Sequence, residues 1–339
     1  MSFNRYNTED SVISSETVVR GLFPSDNVNL TSVATSSTQA SSSQFYLDVY
    51  NAGEVVFSIE YAHISGSGSA YFNSNVTSSS PTKVVYGQYR NLIYGSETAT
   101  FQIGGSTVNS FYVINVARAR YKETMDAGNW ELSLSGSNGI TTFIDDSGKK
   151  FSDTVGKAGR LFYVVSGSLN LGQDADATVL STTASNGEGY GLFYPDRGII
   201  VLNAKAIGNV VGNVGEVGFQ NTGSLQGGVA TTHDAYNHKL LYYAIKKGGD
   251  FEARRTENVS TQHFFVRATN REFNYSNNPT YLAADGTFTE TSFNTDPQTY
   301  ITTVGLLNDS NELVAIAKTS QPIVKSFDKE VLIKVKLSF

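Results

Sequence analysis

The segment 111–144 constrains the fold more than any other part of the sequence. It opens with Phe111–Val116 (FYVINV), a run of aromatic and β-branched residues that are typical of strands. In Trp130–Ser135 (WELSLS) large apolar residues alternate with polar ones, so one face of this segment is apolar and the other polar. A polar turn, Gly136–Gly139, leads into a second alternating run, Ile140–Ile144. Two alternating runs joined by a short turn that contains glycine predict an antiparallel hairpin.

Trp130, at the start of the first alternating run, is the only tryptophan in the chain. A ring of this size needs a packed pocket, and its indole N–H needs a hydrogen-bond partner when it is buried. We therefore expect Trp130 to be a structural anchor of the core.

The amino-acid composition indicates that the rest of the chain is also rich in β structure. Phenylalanine (20) and tyrosine (19) are abundant, glycine is frequent (31), and charged residues make up only 17%. Such a balance is typical of antiparallel β proteins with many turns. The exception is Ala235–Lys247, which reads as a helix with Asp234 as N-cap and Gly248 as its stop. The sequence thus predicts an all-β, mainly antiparallel protein with two β-sandwich-like parts and one notable helix near residues 235–247.

The 339 residues are enough for about two domains. Residues 1–44 read as a polar N-terminal arm, because Thr31–Ser43 is a Ser/Thr-rich segment with almost nothing to bury. We expect a first β domain at 45–170, a linker or long loop at 171–190, and a second β domain with the helix at 191–339.

The sequence also predicts the local structure of several shorter segments. Thr98–Ile103 reads as a strand and the glycine-dense Gly208–Gly228 as a long loop. Tyr300–Leu307 and Leu313–Lys318 read as two strands joined by a polar turn. Val331–Phe339 alternates cleanly, which predicts a docked C-terminal strand with its odd-numbered side chains in the core.

Charge and cysteine content exclude several classes of protein. The net charge is −6 and there is no long basic run, which argues against a nucleic-acid groove or an anionic membrane surface. The absence of cysteine excludes disulfides, thiolate catalysis and cysteine-based metal sites. The first ten residues contain no apolar segment, and no run of about 18 apolar residues occurs, so we expect neither a secretion signal nor a transmembrane helix.

The residue patterns that carry chemistry are weak. His233 and His238 are five residues apart, which misses the spacing that places two ligands on one helical face. Two acidic pairs lie in turn-rich segments, Asp145 with Asp146 and Asp174 with Asp176. Neither pair has the further oxygen ligands of a calcium loop, so turn and solvent-facing roles are favoured.

In the glycine run 208–218 (GNVVGNVGEVG), valine and asparagine fill the gaps between the glycines and no helix pattern follows directly, which argues against a dinucleotide-binding motif. No serine stands in a nucleophile elbow, and no specific pair of carboxylates points to glycoside hydrolysis. We therefore predict no catalytic, cofactor-binding or metal-binding residues and no enzymatic activity. The many tyrosines fit either protein interfaces, sugar stacking or simple packing within strands.

Four blocks of the sequence resemble virion structural proteins of contractile-tailed (myovirus-type) bacteriophages, especially those of marine hosts. These blocks are Ala117–Gly136 (ARARYKETMDAGNWELSLSG), Gly191–Asn203 (GLFYPDRGIIVLN), Phe264–Tyr281 (FFVRATNREFNYSNNPTY) and Thr299–Ile323 (TYITTVGLLNDSNELVAIAKTSQPI). The resemblance implies a tail baseplate component of the wedge type, a β-rich subunit that holds neighbouring tail proteins.

The expected function is therefore structural, in a virion tail that is assembled in the host cytoplasm. The expected partners are other tail or baseplate subunits, with the chain part of an oligomer in the assembly and bound to neither nucleic acid nor membrane. Two other roles stay open: a receptor- or carbohydrate-binding tail protein that uses exposed aromatic rings, and a polysaccharide-degrading tail enzyme.

Overall fold

The structure, a computed structural model, describes residues 8–23, 34–35, 46–51, 53–66, 81–149, 154–169, 178–214, 217–218, 237–249, 251–275 and 279–338. Every strand pair whose register it gives is antiparallel. The predicted all-β, mainly antiparallel class is confirmed.

The strands are β1 (Ser11–Gly21), β2 (Ala34–Thr35), β3 (Tyr46–Asn51), β4 (Glu54–His63), β5 (Gln102–Ile103), β6 (Ser106–Thr107), β7 (Ser110–Val116), β8 (Thr124–Gly136), β9 (Gly139–Asp145), β10 (Thr154–Gly156), β11 (Gly159–Ser168), β12 (Thr178–Ser181), β13 (Gly191–Tyr194), β14 (Ile199–Asn203), β15 (Asn213–Val214), β16 (Val217–Gly218), β17 (Phe251–Ala268), β18 (Thr299–Leu307), β19 (Leu313–Lys325) and β20 (Val331–Ser338). The α-helices are α1 (Thr82–Tyr94), α2 (Arg118–Tyr121), α3 (Ala204–Val211) and α4 (Asn237–Gly248).

The chain divides into two compact units. The large unit is Val18–Glu257, and the small unit combines Met1–Thr17 with Asn258–Phe339. This division does not coincide with the predicted boundary at 171–190. Strands β11 and β13, one on each side of that segment, pair directly through Phe162 and Phe193, so a single sheet continues across it.

The large unit is built on one antiparallel sheet. Its strands follow the order β17, β8, β9, β11, β13, β14, β7, β4, β3 and β2, while β10 and β12 also pair with β11. Strands β8 and β9 form the predicted hairpin, and Leu132 of β8 lies opposite Phe143 of β9. Trp130 lies opposite Ala253 of β17 and is 0% exposed, as expected of a core anchor. Its indole N–H makes no hydrogen bond to any described residue, which the sequence reading did not anticipate.

Both faces of the sheet are covered, which explains why Phe111–Val116 is apolar at almost every position. Tyr112 and Ile114 belong to a core that includes Trp130 and residues of α3 and α4. The neighbouring Phe111 and Val113 point to the opposite face, into a second core that includes residues of α1. A strand buried on both faces reads as a continuous apolar run instead of an alternating one.

The helix predicted at 235–247 is present as α4, while its expected N-cap, Asp234, lies outside the described residues. Helix α1 was not predicted, because its Val, Tyr and Ile residues have high strand propensity. Its amphipathic spacing places Val85, Tyr89 and Ile93 on the buried side. Its end also carries a signal, since Gly95 adopts the left-handed conformation with φ 59°.

Two other local expectations were wrong. The predicted loop Gly208–Gly228 begins inside α3. The N-cap of this helix, Asn203, accepts a hydrogen bond from the Lys205 backbone N–H at 3.1 Å. Apolar residues on one side of α3 bury it against the sheet, and this packing outweighs the low helix propensity of glycine. Of the predicted strand Thr98–Ile103, only Gln102–Ile103 pairs, with β6.

The N-terminal segment is more structured than a polar arm. Residues Ser11–Gly21 form β1, and the apolar residues that follow, Leu22 and Phe23, are buried in the core of the large unit. Most of the Ser/Thr-rich segment Thr31–Ser43 lies outside the described residues. The part that is described, Ala34–Thr35, pairs with β3.

In the small unit the C-terminal strand is docked as predicted. Strand β20 pairs with β17 from Thr261 opposite Ser338 to Ala268 opposite Val331. Burial alternates along it, but only Val335 is fully buried, while Val331, Ile333 and Leu337 are half-buried. Phe339, also expected in the core, lies outside the described residues.

Lys325, at the end of β19, is a buried lysine whose three donors are satisfied. It is 0% exposed, and its ammonium group donates to the Asn270 carbonyl (3.1 Å), Asn274 Oδ1 (2.8 Å) and the Ser326 carbonyl (2.8 Å). A buried charge of this kind is tolerated because each of its hydrogen atoms has an acceptor. It ties the base of the β18–β19 pair to the segment that follows β17.

Replacing Lys325 with methionine is expected to lower the free energy of unfolding by about 2 kcal/mol, because several buried oxygen atoms lose their donor. Urea denaturation of both proteins measures the change. Lys329→Met, at an exposed position of the same region, is the matched control and should change the free energy by less than about 0.5 kcal/mol. Equal stability of the two variants would show that the ammonium group does not hold this region together.

Candidate interaction surface

Strands β18 and β19 of the small unit form a two-stranded hairpin. The turn between them is closed by Asn308, whose side-chain Oδ1 accepts hydrogen bonds from the backbone N–H groups of Ser310 (3.0 Å) and Glu312 (2.8 Å). Asn311 completes the reversal with φ 60°, a value that asparagine adopts more readily than most residues. The predicted pair of strands is therefore confirmed, and β19 extends to Lys325.

The hairpin exposes an unusual number of large apolar side chains. Leu313 and Ile316 are each 59% exposed, Val314 is 69% exposed and Tyr300 is 61% exposed, with Leu307 also exposed. Of the described residues, no third strand pairs with this sheet. A two-stranded hairpin is marginally stable by itself, and a group of exposed apolar side chains marks an interaction surface. We call this set the hairpin surface.

Leu313 and Ile316 share one face at the open part of the hairpin. Gly305 lies directly opposite Ile316, and a Cβ atom on Gly305 would meet Leu313 Cδ1 at 3.0 Å. Residues directly opposite each other in an antiparallel pair point to the same side. Gly305 therefore leaves the space that Leu313 occupies beside Ile316, which brings the two apolar side chains together.

The hairpin is anchored at its base and open at its turn. Besides the Lys325 contacts, the hydroxyl of Thr299 donates to the Phe273 carbonyl at 2.5 Å. Val304, in the middle of β18, is 9% exposed, whereas the residues on either side of the turn are exposed. The exposed apolar groups thus sit on a backbone that is fixed at one end.

The connection 269–298, between β17 and β18, carries a cluster of aromatic rings. The ring centroid of Tyr281 lies 5.7 Å from that of Tyr275, 5.7 Å from that of Phe288 and 5.2 Å from that of Phe293. The rings pack mainly on one another, and Tyr275 remains 61% exposed. An exposed ring that its neighbours hold in place can stack on a partner side chain or on a sugar.

A different kind of group lies in the large unit, at Glu60 of β4. Burial raises the pKa of Glu60 to about 7, with the nearby Tyr89 hydroxyl lowering it and the Asp48 carboxylate raising it. The Ser58 hydroxyl donates to Asp48 Oδ1 at 2.6 Å, and Ser58 lies opposite Asn115 on β7. Glu60 therefore keeps its proton up to about pH 7. Burial likewise raises the pKa of the Tyr89 hydroxyl, so that group stays neutral.

The histidines and acidic pairs that were candidates for chemistry are only partly within the described residues. His238 is fully buried in α4, while His233, Asp174 and Asp176 lie outside the described residues. Asp145 was read as a turn residue, but it is buried and accepts hydrogen bonds from the backbone N–H groups of Gly128 (2.8 Å) and Ser147 (2.9 Å). Burial raises the pKa of Asp145. Trp130 is in the core and forms no stacking platform at the surface.

Across the described residues, no three histidine, aspartate or glutamate side chains are grouped so that they could hold a metal ion. In the same part of the chain, none of the helices has the length and apolar character needed to cross a bilayer. Comparison with protein-family models, curated proteins and solved structures gives no match to this chain.

Proposed function

We propose that this chain is a structural subunit of a bacteriophage virion, a wedge-type component of the tail baseplate that holds neighbouring tail proteins. The observation that carries the proposal is the hairpin surface, a group of exposed apolar side chains on a strand pair anchored at one end. Two of the sequence blocks that resemble tail proteins, Phe264–Tyr281 and Thr299–Ile323, contain the exposed Tyr275 and most of the hairpin.

A subunit of this kind would bind its neighbours by burying exposed apolar side chains when the tail assembles. Each large apolar side chain that leaves water contributes about 1.5–3 kcal/mol, and a few such residues dominate a typical protein interface. Leu313 and Ile316 are adjacent on one face and more than half exposed, so they are the natural centre of a contact. In this role the subunit works by binding and carries out no catalysis.

Replacing both Leu313 and Ile316 with serine is expected to leave the subunit folded and to reduce the yield of complete tails by about tenfold or more, since interface anchors of this size are worth about 2 kcal/mol or more. The measurement is the number of intact tails per cell from genomes that carry the substitutions, counted by electron microscopy.

Ile140→Ser is the matched control, because Ile140 is 63% exposed but lies at the start of β9, in the large unit and outside the hairpin surface. It should leave tail yield unchanged. A normal yield from the Leu313/Ile316 double variant, with the protein as stable as the parent, would remove the main support for the proposal.

The exposed ring of Tyr275 favours a second candidate, a tail protein that binds host carbohydrate. Aromatic rings stack on the apolar faces of sugars, and Tyr275 is supported from behind by Tyr281. Glycan-array binding by the purified protein that disappears in Tyr275→Ala would favour this role over the structural one. Absence of binding leaves the structural role as the better account.

A further inference from the structure

The outer edge of β18 lacks two of the usual protections of a strand edge, charged residues and proline, although its pairing with β19 shifts register between Ile301 and Thr303 and between Leu306 and Leu307. Within the described part of the chain, β18 pairs on one side with β19 and on the other side with nothing. Natural proteins protect such edges with charged residues, proline or bulges, which discourage a further strand from pairing. The sequence of β18, TYITTVGLL, contains no charged residue and no proline. The partner strand β19, by contrast, carries Lys318 and Pro322.

Charge is concentrated beyond the two ends of β18. Asp296 stands before its first residue, and Asp309 and Glu312 lie in the turn after its last one. All three are exposed, and the side-chain hydrogen bonds recorded for Asp296 and Glu312 come from the neutral amides of Gln298 and Asn308. The two lysines of β19 lie on the far side of the pair, with Lys318 opposite Thr303 and the buried Lys325 opposite Thr299. The free edge is thus neutral along its length and acidic at both ends.

We propose that the outer edge of β18 binds an extended segment of another subunit, whose middle is uncharged and whose two ends carry lysine or arginine. Strand addition supplies main-chain hydrogen bonds along the edge, and the basic ends meet the acidic groups at its two ends. The nine residues of β18 correspond to about 30 Å of strand, so the bound segment has a similar length. This inference deepens the proposed function and rests on it for the view that the segment belongs to a neighbouring tail subunit.

A second copy of the chain does not fit this edge well. If two β18 strands paired antiparallel about a two-fold axis, Asp296 of each copy would approach Asp309 of the other. Like charges at both ends would oppose the contact, while nothing basic on β18 would offset them. The charge pattern therefore selects a different chain with the opposite sign at its ends.

The test uses the full-length protein and three synthetic peptides labelled with fluorescein. The first alternates threonine and valine over seven residues between two terminal lysines, and the second has glutamates in place of the lysines. The third is the lysine peptide with N-methyl groups on two adjacent central residues, which blocks hydrogen bonding at both of its edges. Fluorescence anisotropy gives the dissociation constants at about 50 mM salt and at higher salt.

The lysine peptide is expected to bind about tenfold more tightly than the glutamate peptide, and the difference should shrink as salt rises. The N-methylated peptide should not bind. In the triple variant Asp296→Lys/Asp309→Lys/Glu312→Lys, whose substitutions are at exposed sites, the preference should reverse. Unfolding curves of this variant that match the parent show that the reversal is not a loss of fold.

Three results would overturn the inference: equal binding of the lysine and glutamate peptides, binding of the N-methylated peptide as tight as that of its parent, or no binding at about 1 mM. Self-association of the protein that displaces the lysine peptide would assign the edge to a second copy and overturn it as well. If the peptides fail but the Leu313/Ile316 variant still blocks tail assembly, the inference falls while the proposed function stands. If that variant assembles normally, the proposed function itself fails.

Discussion

Replacing Trp130 with alanine is expected to lower the free energy of unfolding by about 3–5 kcal/mol. The side chain is 0% exposed, and its ring centroid lies 5.2 Å from that of Phe193 on β13. Trp130 also lies opposite Ala253 of β17, a small residue that leaves room for the ring on the face that the two residues share. Its removal would open a large cavity in the core that neighbouring strands can fill only in part.

Denaturation in urea or guanidinium chloride, followed by circular dichroism, measures this loss. The control is Phe327→Ala, because Phe327 is 53% exposed in the small unit and should contribute less than about 1 kcal/mol. If Trp130→Ala were as stable as the control, the tryptophan could not be an anchor of the core.

Replacing Glu60 with glutamine is expected to stabilise the protein at pH 8 by about 3 kcal/mol and to have little effect at pH 4. Burial raises the pKa of Glu60 from the usual 4.5 to about 7. In the unfolded chain Glu60 ionises above pH 4.5, whereas in the fold it keeps its proton until about pH 7. The fold therefore loses stability as the pH rises from 4.5 to about 7, and the full cost remains at higher pH.

Glutamine keeps the shape of the protonated side chain but cannot ionise, so the slope of stability against pH should become shallower. Part of the slope should persist, because burial also raises the pKa of Asp145. Unfolding experiments between pH 4 and 8 measure both slopes, with Glu97→Gln at an exposed position as the control. An unchanged slope in Glu60→Gln would contradict the burial of an ionisable carboxyl group at this site.

The sequence predicts the sheet better than it predicts what covers it. Alternation in the sequence marks the more buried side of β20 and of β8, where Trp130, Leu132 and Leu134 are buried. In β9 the expected alternation is wrong, because burial increases along the strand and both faces are covered at Phe143 and Ile144. Helix α1 was not predicted because valine and tyrosine favour strands, although Val85, Tyr89 and Ile93 follow one another at the four-residue spacing of a helix face. The long-range packing of α1 on the sheet decides its structure, and no local propensity contains that information.

The buried ionisable groups and the hairpin surface could not be predicted from the sequence, because they also depend on contacts between residues that are far apart in the chain. Glu60 alternates with apolar neighbours and therefore reads as solvent-facing, until Tyr89 from a distant helix is placed beside it. Lys325 reads as an ordinary surface lysine, and its burial depends on Asn270 and Asn274, which lie about 50 residues earlier in the chain. The strands of the hairpin were predicted, but its exposure was not, because alternation in Leu313–Lys318 does not show whether a covering layer exists.

The most direct test of the central claim is a cryo-electron microscopy map of intact tails produced from the genome that encodes this chain. We expect the map to show the chain in the baseplate, with Leu313 and Ile316 buried against a neighbouring subunit. We also expect an extended segment of that neighbour to lie along β18. Absence of the chain from the particle, or a hairpin surface that faces solvent in every copy, would contradict it.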